Sequence, residues 1–151
     1  MGQLPPMKSK NIWLQPLLNR KICVIIVKNR NEDTDMSSIA VKKVRPNAIL
    51  PTYGSQEAAG ADLYACLEEP VTIGAGETVF IPTGIAVEVP KGCAGLVYAR
   101  SSLGAKRGLA PANKVGVIDS DYRGEISVVL HNHGQQVQTV SHGERIAQLV
   151  I

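Results

Sequence analysis

The stretch TVFIPTGIAVEVPKG, from Thr78 to Gly92, decides the fold class of this chain. Apolar side chains alternate with small or polar ones on both sides of the turn signal Pro82–Gly84, and a second turn signal, Pro90–Gly92, follows. Such alternation is typical of half-buried strands, and Pro and Gly mark where strands end. The stretch therefore predicts two short strands joined by a tight turn.

The same pattern recurs through the rest of the chain. Apolar residues alternate again at Ile126, Val128 and Leu130. Further turn signals stand at Pro51–Ser55, Gly74–Gly76, His133–Gly134 and His142–Gly143. A strand every ~8–12 residues is typical of a β-sandwich or barrel. Only Ser101–Leu109 predicts a helix, which two glycines keep short. We therefore predict one all-β domain with one short helix.

Composition and charge exclude some classes of function. The 151 residues are 44% hydrophobic and 19% charged, as in a globular domain with its own core. Aromatic residues make up only 4%, which argues against a module that stacks on bases. Residues 1–35 hold six basic and three acidic side chains, whereas residues 36–151 hold ten of each. We expect no nucleic-acid partner, because the main body carries no net positive charge.

The cysteines and the apolar runs bear on location. Cys23, Cys66 and Cys93 form no C-x-x-C pair and are odd in number, which argues against a disulfide framework or zinc site and favours a reducing interior. The apolar run Ile22 to Val27 is far shorter than the roughly 20 residues that span a bilayer. It also lacks a clear signal-peptide cleavage site. We expect a cytoplasmic protein without a membrane partner.

A change in sequence style divides the chain near Met36. Residues 1–35 scatter prolines and basic residues without a sustained period, and MSSIAVKKVRP then begins an alternating pattern. We predict a folded domain over residues 36–151. Residues 1–35 are predicted to be an N-terminal extension, either disordered or the product of a mis-assigned start.

The stretch VGVIDSDYRGE, Val115 to Glu125, predicts a hairpin with chemistry at its tip. Asp, Ser and Gly between apolar residues indicate a turn. A carboxylate such as Asp119 can orient and deprotonate a water molecule, and a ring such as Tyr122 can stack on a sugar or base. Turn chemistry alone accounts for the acidic residues but leaves Tyr122 unexplained.

Three other stretches carry residues that a scaffold does not need. AAGADLY, Ala58 to Tyr64, contains Asp62, which turn hydrogen bonding alone could explain. In ARSSLGAKRGL, Ala99 to Leu109, an Arg and two Ser open the helix, which fits either an anion site or a Ser N-cap beside a solvent-facing Arg. In HGERIAQLVI, His142 to Ile151, one polar glutamine interrupts an apolar strand, and the arginine could pair with a carboxylate.

Taken in order, these stretches resemble the trimeric all-β dUTPases. That family carries the motifs A-G-x-D-L, R-S-S/G-L, G-[VL]-I-D-x-D-Y-x-G and G-[DE]-R-I-A-Q. They match Ala59–Leu63, Arg100–Leu103, Gly116–Gly124 and Gly143–Gln148. The third motif is the most specific, and the resemblance runs from about Ile39 to the last residue. It implies a barrel or jelly-roll-like fold with one short helix, and a homotrimer whose sites are shared between subunits.

The resemblance also implies a reaction and the residues that carry it. The family hydrolyses dUTP to dUMP and pyrophosphate by in-line attack of water on the α-phosphorus, with Mg²⁺ held mostly by the triphosphate and by water. Asp119 matches the carboxylate that activates the water, and Tyr122 the ring on the deoxyribose, where a 2′-hydroxyl would clash. Asn113 matches the residue at the uracil end, and the backbone near Val117, Ile118 and Ser127 matches the groups at the uracil edge. On the phosphates, the matching residues are Arg100, Ser101, Ser102 and Gln148. Asp62 matches a residue near the water shell of the metal, which has no direct protein ligand.

The match with the family ends at the fourth motif. Members usually continue with another strand and a Gly-rich tail that contains Arg and Phe, whereas this sequence stops at Ile151 and its only phenylalanine is Phe80. We therefore expect a C-terminally incomplete domain that binds dUTP weakly, turns it over poorly and trimerises less well, because a closing lid would be lacking.

Three alternatives remain open from the sequence. A dCTP deaminase resembles the same fold and also carries an R-S-S stretch, but the D-S-D-Y-R-G sequence argues against it. A catalytically impaired dUTP-binding relative, or a fragment, would keep the pocket without the turnover. A purely structural β-domain would require four ordered motifs to arise by coincidence.

Overall fold

The computed structural model describes residues 22–25 and 38–151. Strands dominate this part of the chain, and one short helix interrupts them. The strands are β1 (Ile22–Ile25), β2 (Ile39–Lys43), β3 (Thr52–Tyr53), β4 (Ala61–Tyr64), β5 (Val71–Ile73), β6 (Thr78–Pro82), β7 (Ile85–Val87), β8 (Gly95–Tyr98), β9 (Leu109–Pro111), β10 (Gly116–Ile118), β11 (Ser127–Asn132), β12 (Gln138–Val140) and β13 (Arg145–Val150), and the helix is α1 (Ser101–Arg107). The predicted all-β class and the single short helix are confirmed.

The strands pair into four antiparallel sheets. The largest has the order β10-β8-β13-β4-β3, and two three-stranded sheets have the orders β1-β2-β7 and β6-β11-β9. Strands β12 and β5 form a separate pair. Across the described ranges the pairing does not close into one continuous barrel, so the fold is a packed arrangement of separate sheets.

Alternation along the strands builds the core between these sheets. In β11, Val128 and Leu130 are buried, whereas Ser127 is exposed and Val129 and His131 are partly so. In β6 and β7, Ile81, Ile85 and Val87 are buried as the opening stretch predicted, Val79 is partly buried, and Ala86 of β7 is buried as well. Each fully buried aliphatic side chain contributes about 1.5–3 kcal/mol relative to exposure, so the sheets are held together mainly by this shared core.

The predicted hairpin around Val115 to Glu125 is wrong in its pairing. Strand β10 pairs with β8, and β11 pairs with β6 and β9, so the two flanking strands lie in different sheets. The buried side chain of Ile118 ties β10 to the core next to β8. The segment over residues 113–128, which we call the 113–128 loop although it includes β10, instead leaves the end of β9 and returns to β11. At its neck the Ala112 N–H donates to the Val129 carbonyl (2.8 Å). A cleft opens between the separated strands.

Helix α1 begins and ends as its sequence dictates. Leu103 is the buried residue of the helix and packs into the core. Gly108 ends the helix in the left-handed conformation (φ 67°), which glycine adopts without a steric penalty. Lys106 and Arg107 lie in the last turn, where cations complement the partial negative charge of the helix end.

Part of the predicted N-terminal extension is a strand. Residues of β1 pair with β2, from Ile22 opposite Lys42 to Ile25 opposite Ile39. The rest of residues 1–35, and the predicted boundary at Met36, lie outside the described residues. No helix in the described part of the chain has the length and apolarity needed to cross a bilayer.

Candidate functional site

A cleft opens between the 113–128 loop and the ends of the neighbouring strands, and we call it the loop cleft. Its lining consists of Val97, Pro111, Asn113, Gly116, Val117, Ile118, Asp119, Tyr122, Glu125, Ile126, Ser127, Val128 and Val129. All six residues that the sequence assigned to the catalytic water, the sugar and the base lie here. The structure therefore brings together the half of the predicted site that would hold a nucleoside.

One wall of the loop cleft is the backbone of an edge strand. Strand β10 ends the five-stranded sheet, with β8 as its partner on one side. An edge strand presents unpaired N–H and C=O groups on its other side, and a planar ligand can read these as donors and acceptors. Close packing keeps this wall stiff, since a Cβ on Gly116 would lie 3.2 Å from the Cβ of Val97 and 3.4 Å from the Asn113 Nδ2.

The acidic residue at the rim of this cleft is open to water. Asp119 directly follows β10 and is exposed, and the Tyr122 N–H donates to its carbonyl (3.1 Å) to form a turn. Ile118 and Ile126 are buried on either side of this turn and hold it to the core. The carboxylate can therefore receive a proton from a water molecule at the rim while its backbone stays fixed.

Tyr122 presents a ring at the same rim. Its side chain is 45% exposed, and its hydroxyl donates to the Glu125 carbonyl (2.9 Å), so the loop holds the ring from within. A Cβ on Gly124 would lie 2.6 Å from Cζ of this ring, which explains why that position carries glycine. One face of a fixed ring beside a carboxylate suits a flat or cyclic ligand.

A second cleft is lined by two charged side chains, Asp62 and Arg100, and we call it the arginine cleft. Its lining consists of Gly54, Ser55, Ala58, Gly60, Asp62, Arg100, Ser101 and Gln148. Asp62 is buried; its Oδ1 forms an ion pair with Arg100 Nε (2.7 Å), and its Oδ2 accepts from Arg145 Nη1 (3.2 Å). Of these two guanidinium groups, that of Arg100 lines the cleft, and a guanidinium at this position favours an anionic ligand.

The start of α1 contributes a hydroxyl to the arginine cleft. The N-cap is Arg100 and makes no side-chain capping bond, so the alternative of a Ser N-cap does not describe this helix. Ser101 lines the cleft, whereas Ser102 is exposed and lies in neither cleft. Gln148 lies opposite Asp62 and Tyr98 in the sheet, and its amide donates to the Ala99 carbonyl (3.0 Å) just before the helix.

The far end of α1 is fixed by contacts that the sequence did not reveal. The Arg107 guanidinium donates to Gln138 Oε1 (2.9 Å), to the Thr139 carbonyl (2.6 Å) and to the Glu144 carboxylate. Glu144 in turn accepts from the Ser141 N–H (3.2 Å). The only signals in the sequence were a basic residue in the last turn of a helix and the Glu of G-E-R, and neither names its partner.

The described carboxylates do not form a metal cage. Within the part of the chain that the structure describes, no three His, Cys, Asp or Glu side chains come together as a metal site. Both oxygens of Asp62, the carboxylate expected near the metal, are engaged by arginines. In this structure Asp62 therefore serves the two arginines.

The loop cleft and the arginine cleft share no lining residue. Asp119 and Tyr122 belong to the first, and Arg100 and Gln148 to the second. The predicted site residues therefore form two groups in one chain, one suited to a sugar and a base and the other suited to an anion.

Comparison with known proteins places this geometry in context. The dUTPase family model matches residues 46–151. A deoxyuridine 5′-triphosphate nucleotidohydrolase from Syntrophotalea carbinolica is 46% identical over 114 residues, covering 76% of this chain and 78% of the relative. One from Anaeromyxobacter sp. is 52% identical over 106 residues, covering 70% and 71%. A variant dUTPase from phage phi11 of S. aureus, described as coordinating a structural Mg(II) ion, has a TM-score of 0.67 and 25% identity over 74% of this chain and 88% of its own.

Proposed function

The chain belongs to the dUTPase family, and we propose that it hydrolyses dUTP to dUMP and pyrophosphate. The observation that carries the proposal is the loop cleft, where an accessible carboxylate, a fixed tyrosine ring and a strand edge meet. The names of the relatives above agree with this reaction. The earlier expectation of family membership is confirmed.

In this proposal the loop cleft selects the nucleoside. The uracil edge binds the backbone near Val117, Ile118 and Ser127, and Asn113 contacts its end. The ring of Tyr122 packs on the deoxyribose at the place where a ribose would carry its 2′-hydroxyl. A methyl group discriminates by only ~1–3 kcal/mol in a soft pocket, so rejection of thymine depends on the stiff wall that β10 forms against β8.

The arginine cleft would hold the triphosphate. Arg100 supplies a guanidinium, Ser101 and Ser102 supply hydroxyls at the start of α1, and Gln148 an amide. We propose that Asp62 acts by aiming Arg100 and Arg145, and that it contributes to the metal only through water. Mg²⁺, carried by the phosphates of the substrate, would neutralise their charge when bound.

The chemical step that we propose needs one general base. Asp119 accepts a proton from a water molecule as the water oxygen forms a bond to the α-phosphorus. The bond from the α-phosphorus to its bridging oxygen breaks, and pyrophosphate leaves on the opposite side. Such a transfer depends mainly on positioning and charge neutralisation, which the two clefts are suited to supply.

Because the two clefts share no residue, we further propose a homotrimer in which each site takes the loop cleft from one subunit and the arginine cleft from another. The face of β6 and β11 beside the loop cleft supports self-association. Phe80 is 69% exposed there and lies opposite Val129, which itself lines the cleft. A large exposed aromatic next to a half-built site is typical of an interface.

The extent and location of the enzyme are proposed as well. The family match over residues 46–151 supports a catalytic domain within residues 36–151. Cys66 and Cys93 are free thiols, which agrees with a cytoplasmic location. Activity of a chain that starts at Met36 would support this boundary, and loss of activity would show that the extension is needed.

The test is pyrophosphate release by the purified chain with Mg²⁺. We expect release from dUTP and much less from dCTP, dTTP and UTP, and its loss in Asp119→Asn, which keeps the shape of the side chain. Binding of dUTP without pyrophosphate release would favour the impaired-relative alternative. Ammonia release from dCTP would favour the deaminase.

A further inference from the structure

The loop that carries Tyr122 is held from outside by one carboxylate. Glu125 Oε1 accepts from Arg45 Nε (2.7 Å) and from the Gly84 N–H (2.9 Å), and Glu125 Oε2 accepts from Arg45 Nη2 (3.0 Å). Arg45 follows β2, and Gly84 forms the turn between β6 and β7. Three segments that are distant in sequence therefore meet at the side chain of Glu125.

Each partner in this contact is itself held in place. The Gly84 carbonyl accepts from the N–H groups of Val44 (2.8 Å) and Arg45 (3.2 Å), so the two segments that hold Glu125 also bind each other. Gly84 has φ +72°, and a Cβ there would lie 2.6 Å from the Cβ of Ala48, so this turn cannot shift to accept a larger residue. The anchor is stiff on the side away from the cleft.

The same residue holds the tyrosine on the other side. The backbone carbonyl of Glu125 accepts from the Tyr122 hydroxyl (2.9 Å), while its side chain is engaged by Arg45 and Gly84. The next residue, Ile126, is tied to the same turn, because its carbonyl accepts from the N–H (3.1 Å) and the hydroxyl (2.6 Å) of Thr83. The position of the ring is therefore set by where Glu125 is held.

Charge strengthens this arrangement. The contact between Arg45 and Glu125 is a two-bond fork, the strong form of a charge-assisted hydrogen bond. The hydrogen bond that Arg45 donates to Glu125 raises the pKa of Arg45 above its usual range, so the arginine stays charged at every working pH. The side chain of Glu125 is 24% exposed and that of Arg45 is 45% exposed, so the carboxylate is the better shielded of the two partners.

We propose that Glu125 and Arg45 are positioning residues that fix the Tyr122 ring and thereby set how strongly the enzyme prefers a deoxyribose over a ribose nucleotide. This inference rests on the proposed function, in which the ring packs on the sugar. The side chain of Glu125, although Glu125 lines the loop cleft, is engaged by Arg45 and Gly84. Glu125 and Arg45 act through the tyrosine, and the discrimination depends on a ring that cannot retreat from a 2′-hydroxyl.

The test compares dUTP with UTP in Arg45→Ala and Glu125→Gln. We expect the ratio of kcat/KM for dUTP to that for UTP to fall on the order of tenfold, since small displacements of a positioning group have effects of this size. The affinities for dUMP and UMP, measured by calorimetry, should converge in the same variants. Because calorimetry does not depend on turnover, it tests the inference even if the wild type fails to hydrolyse dUTP.

Glu88→Gln is the matched control. Glu88 is an exposed carboxylate outside both clefts, and it lies 3.7 Å from Arg123, which belongs to the 113–128 loop. Its replacement should leave the ratio of kcat/KM for dUTP to that for UTP unchanged. A merely structural role for Glu125 would lower the melting temperature and reduce binding of both nucleotides alike. An unchanged ratio in folded Arg45→Ala, whose side chain is 45% exposed and so tolerant of replacement, would overturn the inference.

Discussion

The guanidinium of Arg107, at the end of α1, forms an ion pair with the carboxylate of Glu144, in the turn before β13. Both side chains are about three-quarters shielded from solvent, so the pair is not weakened as a surface pair would be. The helix whose first residues face the arginine cleft is thus held at its opposite end by the turn that leads into β13.

Replacement of Arg107 by Lys should loosen this helix. Lysine keeps the charge but cannot make the several directed bonds of a guanidinium. We expect the free energy of unfolding to fall by about 1–3 kcal/mol, and KM for dUTP to rise more than kcat falls. Chemical denaturation and steady-state kinetics measure these effects. Lys106→Ala, on the exposed side of the same turn, should change neither, and an unaltered KM in Arg107→Lys would contradict the expectation.

Asp62→Asn should release Arg100 and Arg145 from the carboxylate that both of them bind. The substitution removes the negative charge between them and leaves a buried amide in place of an anion. We expect a destabilisation of roughly 2 kcal/mol and a higher KM for dUTP, because the guanidiniums lose their common anchor. Glu69→Gln, an exposed residue outside both clefts, controls for the change in net charge. A variant that binds dUTP as the wild type does would show that Asp62 does not aim the arginines.

Mixed oligomers should recover an activity that each inactive parent lacks. Asp119→Asn spoils the loop cleft and Arg100→Gln spoils the arginine cleft, so each variant alone should release little pyrophosphate. If sites form between subunits, co-expression at equal levels should restore roughly a quarter of the sites, each built from two intact halves. Different affinity tags on the two variants, used in two successive purification steps, isolate the oligomers that contain both chains. No recovery in such mixed species would argue for sites within one chain.

Phe80→Ser should weaken self-association. The side chain is 69% exposed on the β6 face beside the loop cleft, and a buried aromatic anchor at an interface contributes about 2 kcal/mol or more. Sedimentation velocity should reveal dissociation at concentrations where the wild type stays assembled, with a matching loss of activity. Val137→Ser, at a residue that is 65% exposed in another loop, should leave the sedimentation coefficient unchanged. An identical coefficient in Phe80→Ser would remove this face from the interface.

Stability should fall at alkaline pH in a way that depends on Cys66. Burial raises the pKa of this thiol above the usual value of about 8.5. At a pH between the pKa of this thiol in the unfolded chain and its raised pKa in the native state, the native state keeps a proton that the unfolded chain has lost. The free energy of unfolding therefore decreases as pH rises. Urea denaturation on both sides of this range should show a smaller decrease in Cys66→Ala. Equal decreases in both proteins would assign the effect to other groups.

Local elements of this fold could be predicted because their causes are local. The pattern in Thr78–Gly92 predicted two short strands joined by a turn, and strands β6 and β7 form there. The helix over Ser101–Arg107 likewise follows from the glycine that ends it. Residues near one another in sequence determine such features, so no tertiary contact was needed to find them.

Pairing and anchoring contacts could not be predicted, because they join distant parts of the chain. No local pattern in the sequence indicates that β10 pairs with β8 and not with β11. In the structure this pairing goes with the burial of Ile118 in the core. The bonds from Arg45 to Glu125 and from Arg145 to Asp62 each span some eighty positions. The fourth motif contains Glu144 and Arg145, but nothing in it indicates that they would bind Arg107 and Asp62.

The neck at Ala112 and Val129 has a consequence for how such enzymes diversify. The loop over residues 113–128 departs from and rejoins the β9–β11 ladder at adjacent rungs, where one hydrogen bond closes it. The segment between these two positions also depends on partners outside it, because β10 pairs with β8 and Glu125 binds Arg45 and Gly84. A graft between these two positions would therefore carry the loop cleft into a related scaffold only together with β8, Arg45 and Gly84.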